Sequence, residues 1–129
     1  MVTSARFEQG MSAQGYLDQM RLNKDRFVHA LETTTLGADD AKGLARFGPV
    51  RKVLVITEDW CGTSLGVLPY VFKLVEASPG VDLRVFLRDE NPDVMDQYLK
   101  DGRYRSIPVV VLLDDVFTEL ARFIERRPG

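Results

Sequence analysis

The 129-residue sequence contains one cysteine, one histidine and one tryptophan, which excludes several kinds of functional site. A single cysteine cannot form a disulfide within the chain, and it cannot supply a cysteine-based zinc site. The only histidine, His29, lies in a predicted helix with no cysteine or second histidine to join it, and we interpret it as a surface residue. We therefore expect no metal site and no cofactor.

Long apolar runs and a strong excess of charge are also missing. The longest apolar run, Ile107 to Leu113, has seven residues and is far too short to cross a membrane. Seventeen basic and nineteen acidic side chains give a formal net charge of −2, so the composition does not indicate a nucleic-acid partner. Residues Met1 to Arg6 show no charged segment followed by an apolar one, so we predict no signal peptide and a cytoplasmic protein.

The sequence is long enough for one globular domain, residues 1–129, with an N-terminal helical extension over residues 1–49. Met1 to Met11 show no clear pattern, and we expect a loosely held arm there. Ser12 is predicted to cap a helix that runs to about Glu32. A shorter helix from Asp39 or Asp40 should end at Phe47-Gly48-Pro49. The apolar face of the first helix consists of Tyr16, Leu17, Met20, Phe27 and Leu31.

Strand patterns and helix patterns then alternate, which is typical of an α/β domain. The predicted elements are strand Val50–Thr57, helix Cys61–Ala77, strand Val81–Leu87, a helix from Asn91 to about Asp101, strand Val109–Leu113 and strand Val116–Phe123. The first two strands should be parallel, and the last two should form an antiparallel hairpin. The fold class is therefore α/β, with a central mixed four-stranded sheet and flanking helices.

The single cysteine lies where the first strand pattern gives way to a helix, in the stretch Glu58-Asp59-Trp60-Cys61-Gly62-Thr63-Ser64. At a helix N-terminus, unpaired backbone N–H groups and the macrodipole favour a thiolate. We therefore predict that Cys61 is a reactive, partly exposed thiol. Glu58 and Asp59 oppose this effect, because nearby negative charge disfavours a thiolate.

Several of these features together resemble the thioredoxin family. Trp60 and Cys61 stand at the strand-to-helix turn, Pro69 lies in the following helix, and Ile107-Pro108 precedes a later strand. Asp89-Glu90-Asn91-Pro92 also resembles a segment of that family, and the resemblance covers residues 50–123. It implies a thioredoxin-like fold in which the proline before the strand is cis, lies against the cysteine and presents backbone groups to an extended substrate. The substrate contacts implied in this way are Trp60, Gly62, Thr63, Ile107 and Pro108.

The sequence departs from the family pattern at three places. Ser64 replaces the second cysteine of the family's Cys-x-x-Cys motif, and Val55 replaces a buried carboxylate six residues before the first cysteine. Ser64 is one helical turn from Cys61, so its hydroxyl can face the sulfur, but it cannot resolve a mixed disulfide. No helix pattern follows the hairpin, and the sequence ends at Glu125-Arg126-Arg127-Pro128-Gly129. The apolar surface expected there would be covered by the N-terminal helix or by a second subunit, unless the sequence is a piece of a longer protein.

Three functions remain open at this point. The first is monothiol thiol-disulfide exchange, with Cys61 and Ser64 as the catalytic pair and an external thiol that resolves the mixed disulfide. Its partners would be proteins or low-molecular-weight thiols and disulfides. The second is an inactive binding module that holds an extended segment against the Ile107-Pro108 edge. The third is the binding of glutathione or an iron–sulfur cluster, because Cys61-Gly62-Thr63-Ser64 has the spacing of a monothiol glutaredoxin motif, although Trp60 argues against it.

Overall fold

The computed structural model describes residues 2–125, apart from the side chain of Ala41, and contains one mixed sheet. Its strands are β1 (Lys52–Thr57), β2 (Asp82–Leu87), β3 (Val109–Leu113) and β4 (Glu119–Ile124). They lie in the order β2-β1-β3-β4. β1 is parallel to β2 and antiparallel to β3, and β3 and β4 form an antiparallel hairpin. The predicted α/β fold with a mixed four-stranded sheet is confirmed.

Helices cover both faces of this sheet. They are α1 (Ser4–Glu8), α2 (Ala13–Gln19), α3 (Lys24–Thr33), α4 (Gly62–Glu76) and α5 (Pro92–Met95), together with 3-10 helices at Asp40–Phe47 and Arg88–Glu90. Because successive side chains of a strand point to opposite faces, the apolar strands build two separate cores. One core packs the even-numbered β1 residues Leu54 and Ile56 with residues of α1 and α5. The other packs Val53 and Val55 with residues of α2, α3 and α4.

Residues 2–11 do not form the loose arm that the sequence predicts. Thr3 caps α1 through a bond from the Arg6 amide, and Phe7 is fully buried, with its ring 5.4 Å from that of Phe117. Met11 pairs with Val85 at the outer edge of the sheet. A five-residue helix is too short to be stable alone, so these tertiary contacts hold it, and no local pattern reveals them. Met1 lies outside the described residues.

The long helix predicted from Ser12 to Glu32 is broken into α2 and α3. Ser12 caps α2 as predicted, through a 3.0 Å bond from the Gly15 amide. The break follows because the carboxylate of Asp59 accepts hydrogen bonds from the backbone amides of Arg21 and Leu22. Asn23 then takes a left-handed conformation, with φ 61°. The apolar face predicted for this helix does pack on the sheet, since its members all belong to the core that Val53 and Val55 form with α2, α3 and α4.

Two elements after β2 are shorter than their patterns predict. The helix from Asn91 was expected to reach about Asp101, but α5 ends at Met95. The chain then tightens into turns in which the amide of Tyr98 bonds the Met95 carbonyl, while the Tyr98 side chain is buried against the sheet. β4 begins at Glu119 instead of Val116, because the Asp114 carboxylate accepts bonds from two amides of the intervening turn. Residues 126–129 of the predicted C-terminal end lie outside the described residues.

Candidate functional site

Cys61 occupies the N-cap position of α4, at the carboxyl end of β1. Cys61 as a whole is only 9% exposed, so the thiol is less accessible than the sequence predicts. Its sulfur lies 3.8 Å from the carbonyl oxygen of Ile107, toward which the thiol can donate a weak hydrogen bond. The peptide bond between Ile107 and Pro108 is cis. The fold therefore brings together the only thiol of the chain and the segment before β3, which are 46 residues apart in sequence.

A groove borders this position on the α4 side. Its volume is about 280 Å³. It is lined by Thr63, Val67, Pro108, Val110, Phe123, Ile124 and Glu125. Gly62 and Thr63 are exposed in the first turn of α4, whereas Ile107 and Pro108 are buried. Of the predicted substrate contacts, Thr63 and Pro108 therefore share one groove.

Ser64 is buried, and the hydrogen bond of its hydroxyl is with Thr57 rather than with the Cys61 sulfur. Its oxygen lies 2.6 Å from the hydroxyl oxygen of Thr57, the last residue of β1. Among the described residues, no hydrogen bond joins the Ser64 hydroxyl to Cys61. The side chain turns inward because Thr57 and Ser64 meet between the strand and α4. The Ser64 hydroxyl thus fixes the first turn of α4 on the sheet.

Tyr16 of α2 extends this buried hydroxyl cluster. Its phenol contacts Thr57, and its ring packs edge to face against Phe27 and Phe72. Burial raises the pKa of Tyr16 to about 12, an effect that the hydrogen-bonding contact with Thr57 partly offsets. Helix α2 therefore contributes a buried phenol at Thr57, the residue that also bonds Ser64.

The two carboxylates before Trp60 are engaged in structural hydrogen bonds. Asp59 accepts bonds from the α2–α3 connection, and Glu58 accepts a 3.0 Å bond from the backbone amide of Asp89. Partial burial raises the pKa of Glu58, and the Asp89 amide opposes that rise. The two carboxylates therefore join the chain after β1 to the α2–α3 connection and to the 3-10 helix that follows β2.

Trp60 is exposed beside Cys61, with 45% of its surface accessible. The guanidinium group of Arg88 lies over its ring, 5.0 Å from the ring centroid. The same arginine pairs with Asp89 at 3.0 Å and donates a 3.2 Å bond to the backbone carbonyl of Arg105. Arg105 itself is exposed and pairs with Asp96. Arg88 thus joins the segment before the cysteine to the loop before Pro108.

Sequence reasoning missed Tyr16, Thr57 and Arg88 as parts of this site. Tyr16 was assigned only to an apolar helix face, and Thr57 only to the end of a strand. The polar Thr57 at the end of an apolar strand is a weak indication, since such a buried hydroxyl needs a partner. Nothing in the local sequence marks Arg88, whose contacts with Trp60 and with the Arg105 carbonyl are to residues far away in the chain. His29 is exposed on α3, in agreement with its interpretation as a surface residue.

The buried phenol predicts a stability change in alkaline solution. Tyr16 ionises near its ordinary pKa of 10.0 in the unfolded chain but only at about 12 in the folded protein. The stability that the buried neutral phenol contributes is therefore fully present below pH 10. It is lost as the pH rises from 10 to about 12, and the free energy of unfolding falls by about 2–3 kcal/mol. The measurement is urea unfolding of the wild-type protein and of Tyr16→Phe across that range. The difference in unfolding free energy between them should narrow by that amount, and a constant difference would contradict the assignment.

The family comparison agrees with this geometry. A protein-family model described as thioredoxin matches residues 10–128, which is nearly the whole chain. The chain therefore belongs to the thioredoxin family. A search of curated proteins found no match.

Two solved structures share the fold. A protein of unknown function from Pseudomonas aeruginosa superposes with a TM-score of 0.77 at 24% sequence identity, over 98% of this chain and 78% of that one. An HIV epitope-scaffold protein gives a TM-score of 0.76 at 24% identity, over 97% of this chain and 78% of that one. At this identity the likeness establishes the fold alone.

Within residues 2–125, no helix combines the length and the apolar character needed to cross a bilayer. The described side chains also include no group of three or more histidine, cysteine, aspartate or glutamate residues that could hold a metal ion.

Proposed function

We propose that this thioredoxin-family protein carries out monothiol thiol-disulfide exchange, with Cys61 as the nucleophile and an external thiol as the resolving agent. The observation that carries the proposal is the position of the Cys61 sulfur. It lies at the first turn of α4 and 3.8 Å from the Ile107 carbonyl, beside the cis bond to Pro108. Backbone amides at a helix N-terminus stabilise a thiolate, and the neighbouring backbone borders the groove at Thr63 and Pro108.

The exchange proceeds in two steps. The Cys61 thiolate attacks one sulfur of a substrate disulfide, a new disulfide bond forms to Cys61, and the other substrate sulfur leaves as a thiolate. An external thiolate then attacks the mixed disulfide at the substrate sulfur and releases the Cys61 thiolate. Over the two steps the external thiol becomes joined to the substrate sulfur and the protein is regenerated, so Cys61 undergoes no net oxidation.

The position of Ser64 supports the need for an external thiol. Its hydroxyl is engaged with Thr57, and Cys61 is the only cysteine. No group of the protein can therefore displace the substrate from the mixed disulfide. We propose that the substrates are protein or low-molecular-weight disulfides. A cytoplasmic location would suit this chemistry, because thiols are kept reduced there.

A binding module without turnover is the second candidate. The low exposure of Cys61 favours it, since a thiol that remains covered reacts slowly. In that case exposed Trp60 and the groove beside Pro108 would hold an extended segment without any covalent step.

The proposed function is tested with a peptide disulfide that carries thionitrobenzoate as its leaving group. The wild-type protein should release the coloured thionitrobenzoate and gain the mass of the peptide at Cys61. Reduced glutathione should then remove the peptide and restore the starting mass. Cys61→Ser should give neither product. Peptide binding by both proteins without any adduct would overturn the enzyme and favour the binding module.

A further inference from the structure

We propose that Arg88 is a positioning residue that holds the Trp60 ring and the loop before Pro108 as one unit, and that it thereby favours extended peptide substrates over small disulfides. This inference rests on the proposed function, because it concerns substrate selection at Cys61. Three contacts carry it, and all of them come from a single guanidinium group: the Trp60 ring, the Asp89 carboxylate and the Arg105 carbonyl.

Two of the contacts reach segments other than the 3-10 helix Arg88–Glu90, to which Arg88 and its neighbour Asp89 both belong. Trp60 belongs to the turn between β1 and α4, Asp89 to the 3-10 helix after β2, and Arg105 to the loop that leads to β3. Glu58 adds a second link between the first two segments, through the Asp89 amide. Arg88 adds a link from the Trp60 side chain to the third segment, which the first segment also contacts where the Cys61 sulfur meets the Ile107 carbonyl.

The chemistry of the side chain suits this role. A planar guanidinium can lie over an indole ring and at the same time donate bonds in its own plane to a carboxylate and a carbonyl. The Arg88 side chain itself is only 15% exposed, whereas its hydrogen bonds to Asp89 and to the Arg105 carbonyl lie at the exposed surface. A lysine ammonium keeps the charge and the pairing with Asp89, but it cannot make all three contacts together.

Substrate selection follows from the location of the two joined segments. Trp60 is next to the nucleophile in sequence, and the Arg105–Pro108 loop carries the Ile107 carbonyl that faces the sulfur. An extended peptide joined to Cys61 is long enough to touch both segments. A disulfide of only a few atoms reacts at the sulfur without using both. Holding both segments in place therefore accelerates the attack of Cys61 on a peptide disulfide and leaves its attack on a small disulfide unchanged.

The first test uses Trp60 as its own reporter, because it is the only tryptophan of the chain. In Arg88→Lys, the rate of acrylamide quenching of Trp60 fluorescence should rise by about two- to threefold as the ring is released. Arg122→Lys is the matched control, since Arg122 stacks 5.1 Å over Tyr98 and pairs with Glu119, outside this site. It should leave the quenching unchanged. Unchanged quenching in Arg88→Lys would overturn the positioning role.

The second test compares two disulfides with the same thionitrobenzoate leaving group, one on an extended peptide and one on mercaptoethanol. Arg88→Lys should slow the attack of Cys61 on the peptide disulfide by about three- to tenfold and leave the mercaptoethanol reaction within about twofold of wild type. Arg88→Met, which also removes the charge, replaces the lysine variant if that variant folds poorly. It should likewise slow the peptide reaction and leave the mercaptoethanol reaction unchanged. Equal losses for both disulfides, or no loss for either, would overturn the inference.

The two tests also distinguish failure of the inference from failure of the proposed function. If wild-type protein reacts with neither disulfide, the proposed exchange is wrong, and so is the selection of peptides by Arg88. The quenching comparison would still decide whether Arg88 positions Trp60. If wild-type protein reacts with both disulfides and the variants behave like it, only the role of Arg88 is wrong.

Discussion

Replacing Phe27 by alanine is expected to lower the free energy of unfolding by about 3–5 kcal/mol. Phe27 is fully buried in α3, and its ring centroid lies 5.3 Å from that of Phe72 on α4 and 5.9 Å from that of Tyr16 on α2. The substitution removes the ring that joins the three helices and leaves a cavity between them. Domains of this kind are stable by about 5–15 kcal/mol in total, so the loss is a large share.

The matched control for this variant is Phe47→Ala. Phe47 lies in the 3-10 helix Asp40–Phe47 but is exposed, and its only ring contact among the described residues is with exposed Phe123. Its removal should cost less than about 1 kcal/mol. Urea unfolding followed by circular dichroism measures both losses. A small loss for Phe27→Ala, or a loss no larger than that of Phe47→Ala, would contradict the role of Phe27 in joining the three helices.

The second large effect is expected from Ser64→Cys, which restores the two-cysteine spacing. The new thiol would stand one helical turn from Cys61, and positions three residues apart on a helix are neighbours. The mixed disulfide at Cys61 should then resolve within the protein, at least about 100-fold faster than in wild type without added thiol. Loss of the Ser64–Thr57 hydrogen bond should cost about 1 kcal/mol of stability.

Thr63→Cys provides the control for this experiment. It also adds a second thiol to the first turn of α4, but residues two apart on a helix do not face each other. Mass spectrometry after oxidation and alkylation counts the free thiols in each variant. We expect an internal disulfide in Ser64→Cys and two alkylated thiols in Thr63→Cys. A persistent mixed disulfide in Ser64→Cys would contradict the placement of positions 61 and 64 as neighbours in the first turn of α4.

The sheet could be predicted from sequence because its strands are short apolar runs with clear breaks. β3 was predicted at Val109–Leu113 and is found there, since five consecutive apolar residues are buried on both faces of the sheet. The bounds of the helices were harder to predict, because residues far away in the sequence determine where they begin and end. Asp59 ends the run between α2 and α3, and Phe7 holds α1 only through packing on the sheet.

The candidate site was predictable in position but not in detail. The strand-to-helix turn and the Ile107-Pro108 pair located the thiol and its neighbour. The direction of the Ser64 hydroxyl could not be predicted, because it depends on Thr57 at the end of β1. The contacts of Arg88 join segments that are 17 to 28 residues from it in sequence, and no local pattern encodes such contacts.

The most direct test of the central claim is the rate at which Cys61 reacts with iodoacetamide at neutral pH. The rate in the folded protein is compared with the rate in urea-unfolded protein, with Cys61→Ser as the blank. A nucleophile stabilised at the N-terminus of α4 should react at least about tenfold faster in the folded protein than in the unfolded one. A thiol that is labelled only as fast as the protein unfolds would contradict the exchange function and leave the binding module.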